Sequence, residues 1–430
     1  MERLIRDNKN MSELLLRLND VDGSVGSLKE AERLLGQHDP DHRHIRQWAY
    51  LWHNYGNIYY HAGMPVQALE YYEKARKLDE GMQNCPPREL ATDYSSIAAV
   101  YQQMGELRKA YEMLEKAIMA DGDFEEDSET IMFYQYMGSI CTDLFADGYT
   151  QYAEKAEEAY AKAIAFREAN SVKYSSDKAD LYLEYSNYLY QVGNNRKARE
   201  FSEKAKMIYQ HLYGEDCYPV LQCRANNALI LAEEGRIEDA IAEYADIVER
   251  EGRMSNVSYS DYAKDCQNFA MLLETAERYG DSWFFWKKSE EILTRYFPKD
   301  TIRLAETLLG MANNCMGMEK YKEAIDYLEK LADIAKEERP KLRVALYKLG
   351  DCCANLEQYE QAIKYYEESL ALCDETSLDD KVIVCVGMAL VCRWNGNEEK
   401  YQAYSSMARE IAAEAEDDFI TEYVHTLDTT

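Results

Sequence analysis

The chain has 430 residues, of which 49 are Lys or Arg and 79 are Asp or Glu, so its formal net charge at pH 7 is -30. A charge of this size repels phosphate backbones and anionic membrane surfaces, which argues against nucleic acid and membranes as partners. Two readings of the acidity stay open: it only keeps the protein soluble, or it attracts a basic or neutral peptide.

The first 47 residues differ in pattern from the rest of the chain. Met11–Asn19 and Leu28–Gln37 have the apolar spacing of two short helices, and the pattern predicts a turn at Gly23–Ser27 between them. We expect residues 1–47 to form an atypical helical cap, which covers the apolar side of the segment that follows.

From residue 48 onward the sequence repeats itself with a period of about 42 residues. In the first repeat Tyr55 and Gly56 lie on one helical stripe, Gly63 ends that helix, Pro65 opens the next, and Tyr72 lies on the second helix. Small residues let the two helices approach, and a single hairpin cannot bury such a stripe, so the hairpins must stack. The repeats begin near residues 49, 91, 131, 179, 221, 263, 305, 343 and 382.

This alternation of small and large residues over two helices resembles the tetratricopeptide repeat. The longer period and the segment Tyr213–Val220, followed by Asn226–Leu229, are similar to the repeats of the kinesin light chain family. The resemblance implies an all-α, right-handed superhelical α-solenoid of about nine helix-turn-helix repeats. We expect the solenoid to span residues 48–414 and residues 415–430 to form a carboxy-terminal capping helix and tail.

The resemblance also implies where a partner binds. In tetratricopeptide arrays the first helix of each repeat lines a concave groove that holds a peptide segment of another protein. Amide side chains there can bond an extended backbone, and tyrosines offer rigid, half-polar contact area; the other reading is that the amides only tie adjacent helices together. The candidate peptide-binding residues are Tyr50, His53, Asn57, Tyr60, Gln135, Asn187, Tyr190, Gln267, Asn313 and Tyr347.

Related domains that clamp the acidic tails of heat-shock chaperones use Lys at the fifth place of the first helix. No repeat here offers a permanent cation at that place, so carboxylate-clamp binding of chaperone tails is disfavoured. The residues at the fifth place are His53, Ser95, Gln135, Leu183, Ala225, Gln267, Leu309, Tyr347 and Val386.

The sequence contains no phosphate-binding glycine loop, no paired histidines around a glutamate and no nucleophile elbow. We therefore expect no catalytic residues, no metal site and no cofactor. The leading hypothesis is a non-enzymatic scaffold or adaptor for protein–protein interaction. The alternative is a peptide-sensing regulator similar to the bacterial pheromone-responsive tetratricopeptide proteins, and an enzyme is the third class.

Four cysteines occupy the same small-residue place in their repeats: Cys141, Cys315, Cys353 and Cys392. Because the cysteines show neither zinc-like spacing nor an export signal beside them, the pattern favours a reducing cytoplasm.

Four consecutive aromatic residues, Trp283–Trp286, cannot all face one helical stripe. At least one of them therefore packs on a neighbouring repeat or is exposed.

Overall fold

Every regular element in the described part of the chain is a helix, which confirms the all-α prediction. None of these helices combines the length and the apolar character that crossing a membrane requires. The chain forms two compact units, Met1–Asn226 and Asn227–Thr430, which we call the amino-terminal and carboxy-terminal units. The computed structural model describes residues 7–8, 10–12, 21–40, 43–121, 128–170, 174–254, 257–298, 301–336, 338–373, 378–415 and 418–429.

The α-helices that the structure describes between residues 45 and 415 form nine consecutive hairpins, which confirms the predicted helical repeat solenoid. Each hairpin is one repeat, numbered one to nine. The first helices are Ile45–His61, Pro87–Gln103, Ser128–Ala146, Ser176–Gln191, Tyr218–Glu233, Tyr259–Thr275, Thr301–Gly317, Arg339–Asn355 and Leu378–Trp394. The second helices are Pro65–Glu80, Leu107–Asp121, Ala153–Asn170, Asn195–Tyr213, Ile237–Glu251, Tyr279–Tyr296, Tyr321–Ile334, Tyr359–Ala371 and Glu398–Ala415.

The turn inside each hairpin has the same backbone geometry. In repeat one the N–H of Met64 donates to the carbonyl of Tyr59 at 2.9 Å, and the N–H of Gly63 donates to the carbonyl of Tyr60 at 3.0 Å. This pair of bonds closes the helix and requires a left-handed residue at its end. The left-handed residues of the nine turns are Gly63, Gly105, Gly148, Gly193, Gly235, Glu277, Glu319, Glu357 and Gly396.

Three of these turns use a glutamate where glycine is the cheaper residue. Replacing Glu319, whose φ is 57°, with glycine is expected to raise the free energy of unfolding by about 0.5 to 1 kcal/mol, because the left-handed conformation strains a residue with a Cβ. Urea denaturation measures the change. Gly235→Ala, at a φ of 81°, is the reverse control and is expected to destabilise. A loss of stability in Glu319→Gly contradicts the assignment of strain.

Aromatic rings of second helices pack directly against glycines on the first helices. A Cβ atom at Gly56 would lie 2.5 Å from the ring of Tyr72, and one at Gly138 would lie 2.8 Å from the ring of Tyr160. These distances are too short for any Cβ, so the predicted small-against-large packing is confirmed. The cysteines predicted to pack as small apolar residues are buried as expected: Cys141, Cys315, Cys353 and Cys392.

The segment before repeat one differs from the sequence prediction. One helix, Val21–His38, runs through the segment Gly23–Ser27, so the predicted turn there is wrong. Leu28 and Leu35 on this helix are fully buried against repeat one, and this packing offsets the low helix propensity of the glycines. The predicted helix Met11–Asn19 lies mostly outside the described residues.

The aromatic run divides between core and surface. Trp286 is 3% exposed, and the ring of Phe285 packs on Phe269 with centroids 4.6 Å apart. Trp283 packs edge-on against Tyr327 of repeat seven. Phe284 is 60% exposed, so it is the member of the run that faces solvent.

The last helix, Asp418–Thr429, packs on repeat nine. Ile420 and Val424 join the apolar cluster of that repeat, and the hydroxyl of Tyr401 donates to the carbonyl of Leu427 at 3.0 Å. The division into a cap, a solenoid and a carboxy-terminal capping helix remains a proposal.

Candidate functional site

Three predicted residues of repeat one surround Tyr72, a buried side chain of the second helix. The Tyr72 hydroxyl donates to Asn57 Oδ1 at 2.7 Å, and the ring centroids of His53 and Tyr72 are 5.1 Å apart. Burial, followed by the neighbouring Tyr60 hydroxyl, raises the pKa of Tyr72. The structure therefore brings His53, Asn57 and Tyr60 together on one stretch of the first helix.

A second group joins first helices from repeats one, three and four of the amino-terminal unit. Gln135 Nε2 donates to Glu184 Oε1 at 2.9 Å. Burial, followed by the Tyr60 hydroxyl and the Glu184 carboxylate, raises the pKa of Tyr136, which keeps 40% of its surface exposed. We call these four residues the convergent cluster: Tyr60, Gln135, Tyr136 and Glu184.

Glu184 is the chemically unusual member of the convergent cluster. Its Oε2 atom is buried and receives no hydrogen bond from the part of the chain that the structure describes. Burial raises the pKa of Glu184 to about 7, the hydrogen bond from Gln135 lowers it, and the charge of Asp180 raises it further. An acceptor in this state gains free energy from any donor that reaches it.

Asn187 lies one turn beyond Glu184 on the same helix, so the two share a face. Asn226 Nδ2 donates to Asn187 Oδ1, and Asn187 is exposed. Tyr190, a further turn along, is half-buried. Asn187 therefore presents an amide to solvent beside the convergent cluster.

Tyr50 and His53 line a separate cavity of about 470 Å³, which we call the acidic cavity. Asp79 and Asp93 also line it and are only 5% and 3% exposed. His53 Nδ1 lies 2.9 Å from Asp93 Oδ1, whereas no described donor reaches Asp79 Oδ1 or Asp93 Oδ2. Burial, followed by the charge of Asp93, raises the pKa of Asp79 to about 7. The wall of the cavity thus carries two carboxyl groups with unsatisfied acceptor atoms.

The predicted residues of the carboxy-terminal unit have other surroundings. Gln267 is 8% exposed, and its Nε2 donates to Thr307 Oγ1 at 2.7 Å, which ties the first helices of repeats six and seven. Asn313 is half-buried. Burial, followed by the charge of Asp351, raises the pKa of Tyr347, whose ring packs on Tyr366. No contact within the described residues joins Gln267, Asn313 and Tyr347 to one another.

The sequence did not predict Glu184 in the convergent cluster, or Asp79 and Asp93 in the acidic cavity. Glu184 and Tyr136 each lie one position beyond a predicted groove place, so a shift of one residue along the helix would have found them. Asp79 and Asp93 are fourteen positions apart on consecutive helices. For Glu184 and Asp93, an acidic residue at a place where the neighbouring repeats are apolar or neutral was the available signal.

The fold and these surfaces define an all-α helical repeat protein whose first helices bear polar and aromatic side chains. Residues 48–120 and 303–375 match the tetratricopeptide repeat family model. The chain therefore carries tetratricopeptide repeats in both of its compact units. No match was found among the curated proteins.

Two solved structures with TM-scores above 0.5 share the fold at low sequence identity. The apo form of the quorum sensor NprR from B. thuringiensis is 14% identical, with a TM-score of 0.52, 95% of this chain covered and 98% of that one. A signal transduction ATPase with numerous domains from Pyrococcus horikoshii, with a tetratricopeptide repeat sensor, is 13% identical at a TM-score of 0.58. That match covers 85% of this chain and 52% of the other. The kinesin light chain-like repeats of a Podospora anserina protein are 14% identical at 0.43, over 49% of this chain and 97% of theirs.

Proposed function

We propose that the chain is a non-enzymatic scaffold that binds an extended segment of a partner protein against the convergent cluster and Asn187. The observation that carries the proposal is the buried Oε2 atom of Glu184, an acceptor that no described donor satisfies. A backbone N–H or a basic side chain of the segment supplies that donor.

The neighbouring side chains suit such a segment. Tyr136 offers a partly exposed ring as contact area, and the amide of Asn187 can both donate to and accept from a peptide backbone. The net charge of -30 favours the approach of a basic or neutral segment over an acidic one. The candidates Tyr50, His53, Asn57, Tyr60, Gln135 and Tyr190 belong to the same unit, and their contact with the segment is part of the proposal.

A peptide-display selection on the full chain tests this proposal and requires no identified partner. Selected peptides are expected to carry side chains that donate hydrogen bonds, and fluorescence anisotropy measures the affinity of these peptides for the chain. In the double variant Glu184→Gln with Asn187→Ala, the dissociation constant is expected to rise by about 10 to 100-fold, because the hydrogen bond at position 184 loses its charge and the one at position 187 is lost.

The matched control removes the same charge from the same repeat. Glu200 is exposed on the second helix of repeat four and pairs with Lys204, so Glu200→Gln is expected to bind as the unmodified chain does. Equal weakening in both variants, or unchanged affinity in the double variant, would overturn the proposal. Circular dichroism verifies that all three proteins are folded.

A peptide-sensing regulator would bind its peptide at the same surface but change its conformation on binding. Small-angle scattering of the full chain with a selected peptide separates the two functions. A change in the radius of gyration on binding supports the regulator, and unchanged dimensions support the scaffold.

A further inference from the structure

Three potential metal ligands meet at the junction of repeats one and two. Asp79 lies in the last turn of the second helix of repeat one, Cys85 in the connection, and Glu89 in the first turn of the next helix. One ligand atom from each residue lies within 4.8 Å of the other two. Asp79 and Glu89 also line the acidic cavity, so these ligand atoms adjoin open space.

Two buried acceptor atoms adjoin these ligands. Asp79 and Asp93 are 5% and 3% exposed, and no described donor reaches Asp79 Oδ1 or Asp93 Oδ2, whereas the other oxygen of Asp93 pairs with His53 Nδ1 at 2.9 Å. Burying two carboxyl groups side by side is costly unless a proton or a cation is shared between them. Arg46 Nε lies 3.5 Å from Glu89 Oε2, and the Arg46 side chain is 60% exposed.

We propose that Asp79, Cys85 and Glu89 bind a zinc-class divalent cation. A thiolate with two carboxylates suits Zn²⁺ and its spectroscopic substitute Co²⁺, whereas Mg²⁺ and Ca²⁺ prefer oxygen ligands alone. Three protein ligands leave one position of a tetrahedral ion open to water or to a fourth ligand. Asp93 then serves as a neighbouring carboxylate that adds negative charge next to the ion.

Binding of the ion changes the partner of the Cys85 thiol. Its Sγ donates to the carbonyl of Pro86 at 3.5 Å. The thiol proton passes to solvent when the sulfur binds the ion. The three ligands are six and four positions apart and follow no recognised zinc motif, so their spacing did not predict a metal site.

Cobalt titration of the full chain, after treatment with a chelator, tests the site. One equivalent of Co²⁺ is expected to bind and to produce the near-ultraviolet band of thiolate-to-cobalt charge transfer, and Zn²⁺ is expected to displace it. Cys85→Ser is expected to abolish the band, and Asp79→Asn to weaken binding at least tenfold. Cys217→Ser changes a half-buried free cysteine of the same unit outside the cluster and is expected to keep both band and affinity.

Two results would overturn the proposal. One is the absence of a charge-transfer band in the unmodified chain, and the other is stoichiometric binding that survives Cys85→Ser together with Asp79→Asn. Asp79→Asn keeps the shape of the side chain and removes a buried charge, so thermal denaturation without metal is expected to show a folded protein. Added Zn²⁺ is expected to stabilise the unmodified chain and not this variant. These readouts use the metal alone and do not depend on the peptide proposal.

Discussion

Replacing Gly310 with alanine is expected to lower the free energy of unfolding by about 1 to 3 kcal/mol. A Cβ atom at Gly310 would lie 2.3 Å from two carbon atoms of the Trp286 indole. The indole cannot easily withdraw, because it is 3% exposed and its Nε1 donates to Glu274 Oε1 at 2.7 Å. Glu274 in turn accepts a hydrogen bond from Asn314 Nδ2 at 3.0 Å. The overpacking therefore exceeds the gain in helix propensity, which is about 1 kcal/mol.

Urea denaturation, followed by tryptophan fluorescence and circular dichroism, measures this loss. Gly280→Ala is the matched control, because Gly280 lies on a helix and a Cβ there would meet no atom within 4 Å. The control is expected to be neutral or slightly stabilising. Equal stability of both variants would contradict the close approach of the Gly310 helix to Trp286.

Glu251→Gln is expected to flatten the fall in stability that the unmodified protein shows as the pH rises from about 5 to about 9. Glu251 is 2% exposed, and both of its carboxyl oxygens are buried without a described donor, facing Asp265. Burial, followed by the charge of Asp265 and then that of Asp261, raises the pKa of Glu251 from 4.5 to about 9. The pKa of Asp265 is also raised, to about 6, chiefly by burial.

The direction of this pH dependence follows from proton linkage. Between about pH 5 and pH 9 the folded state keeps a proton on Glu251 that the unfolded chain has released, so the free energy of unfolding falls as the pH rises through this window. The fall is expected to be at least ~2 kcal/mol, and it should be greatly reduced in Glu251→Gln. Tyr262 also contacts this group, but its own pKa is raised, so it stays neutral through the window.

Chemical denaturation at a series of pH values tests this prediction. Glu249→Gln removes an exposed carboxylate that pairs with Arg253, and it should keep the pH dependence of the unmodified chain. If Glu251→Gln shows the same pH dependence as the control, Glu251 does not hold a proton in the folded state.

The repeats could be predicted from sequence because the information that specifies them is local. A glycine opposite an aromatic residue, as at Gly56 and Tyr72, and a glycine at the end of a first helix both act within one hairpin. The turns at Glu277 and Glu319 adopt the same conformation without a glycine, because the bonds that close the helix and the packing of the hairpin outweigh the strain.

The surfaces could be predicted only in part, because they depend on how repeats pack on each other. Amide side chains on the first helices differ in exposure. Asn187 is exposed, whereas Gln267 is buried and donates a hydrogen bond to Thr307, forty positions away. Likewise, Glu184 becomes a buried acceptor only because Gln135 and Tyr136 of the preceding repeat lie against it. These contacts cross repeat boundaries, which the repeat pattern alone does not describe.

The most direct test of the scaffold proposal is photo-crosslinking from two positions of the full chain. A photoreactive phenylalanine derivative replaces Tyr136 in one variant and Lys204, on the second helix of repeat four, in the other, and a selected peptide is added to each. Mass spectrometry is expected to find the peptide attached at position 136 and absent at position 204. Attachment at position 204 alone would contradict binding of the segment to the first helices of the amino-terminal unit.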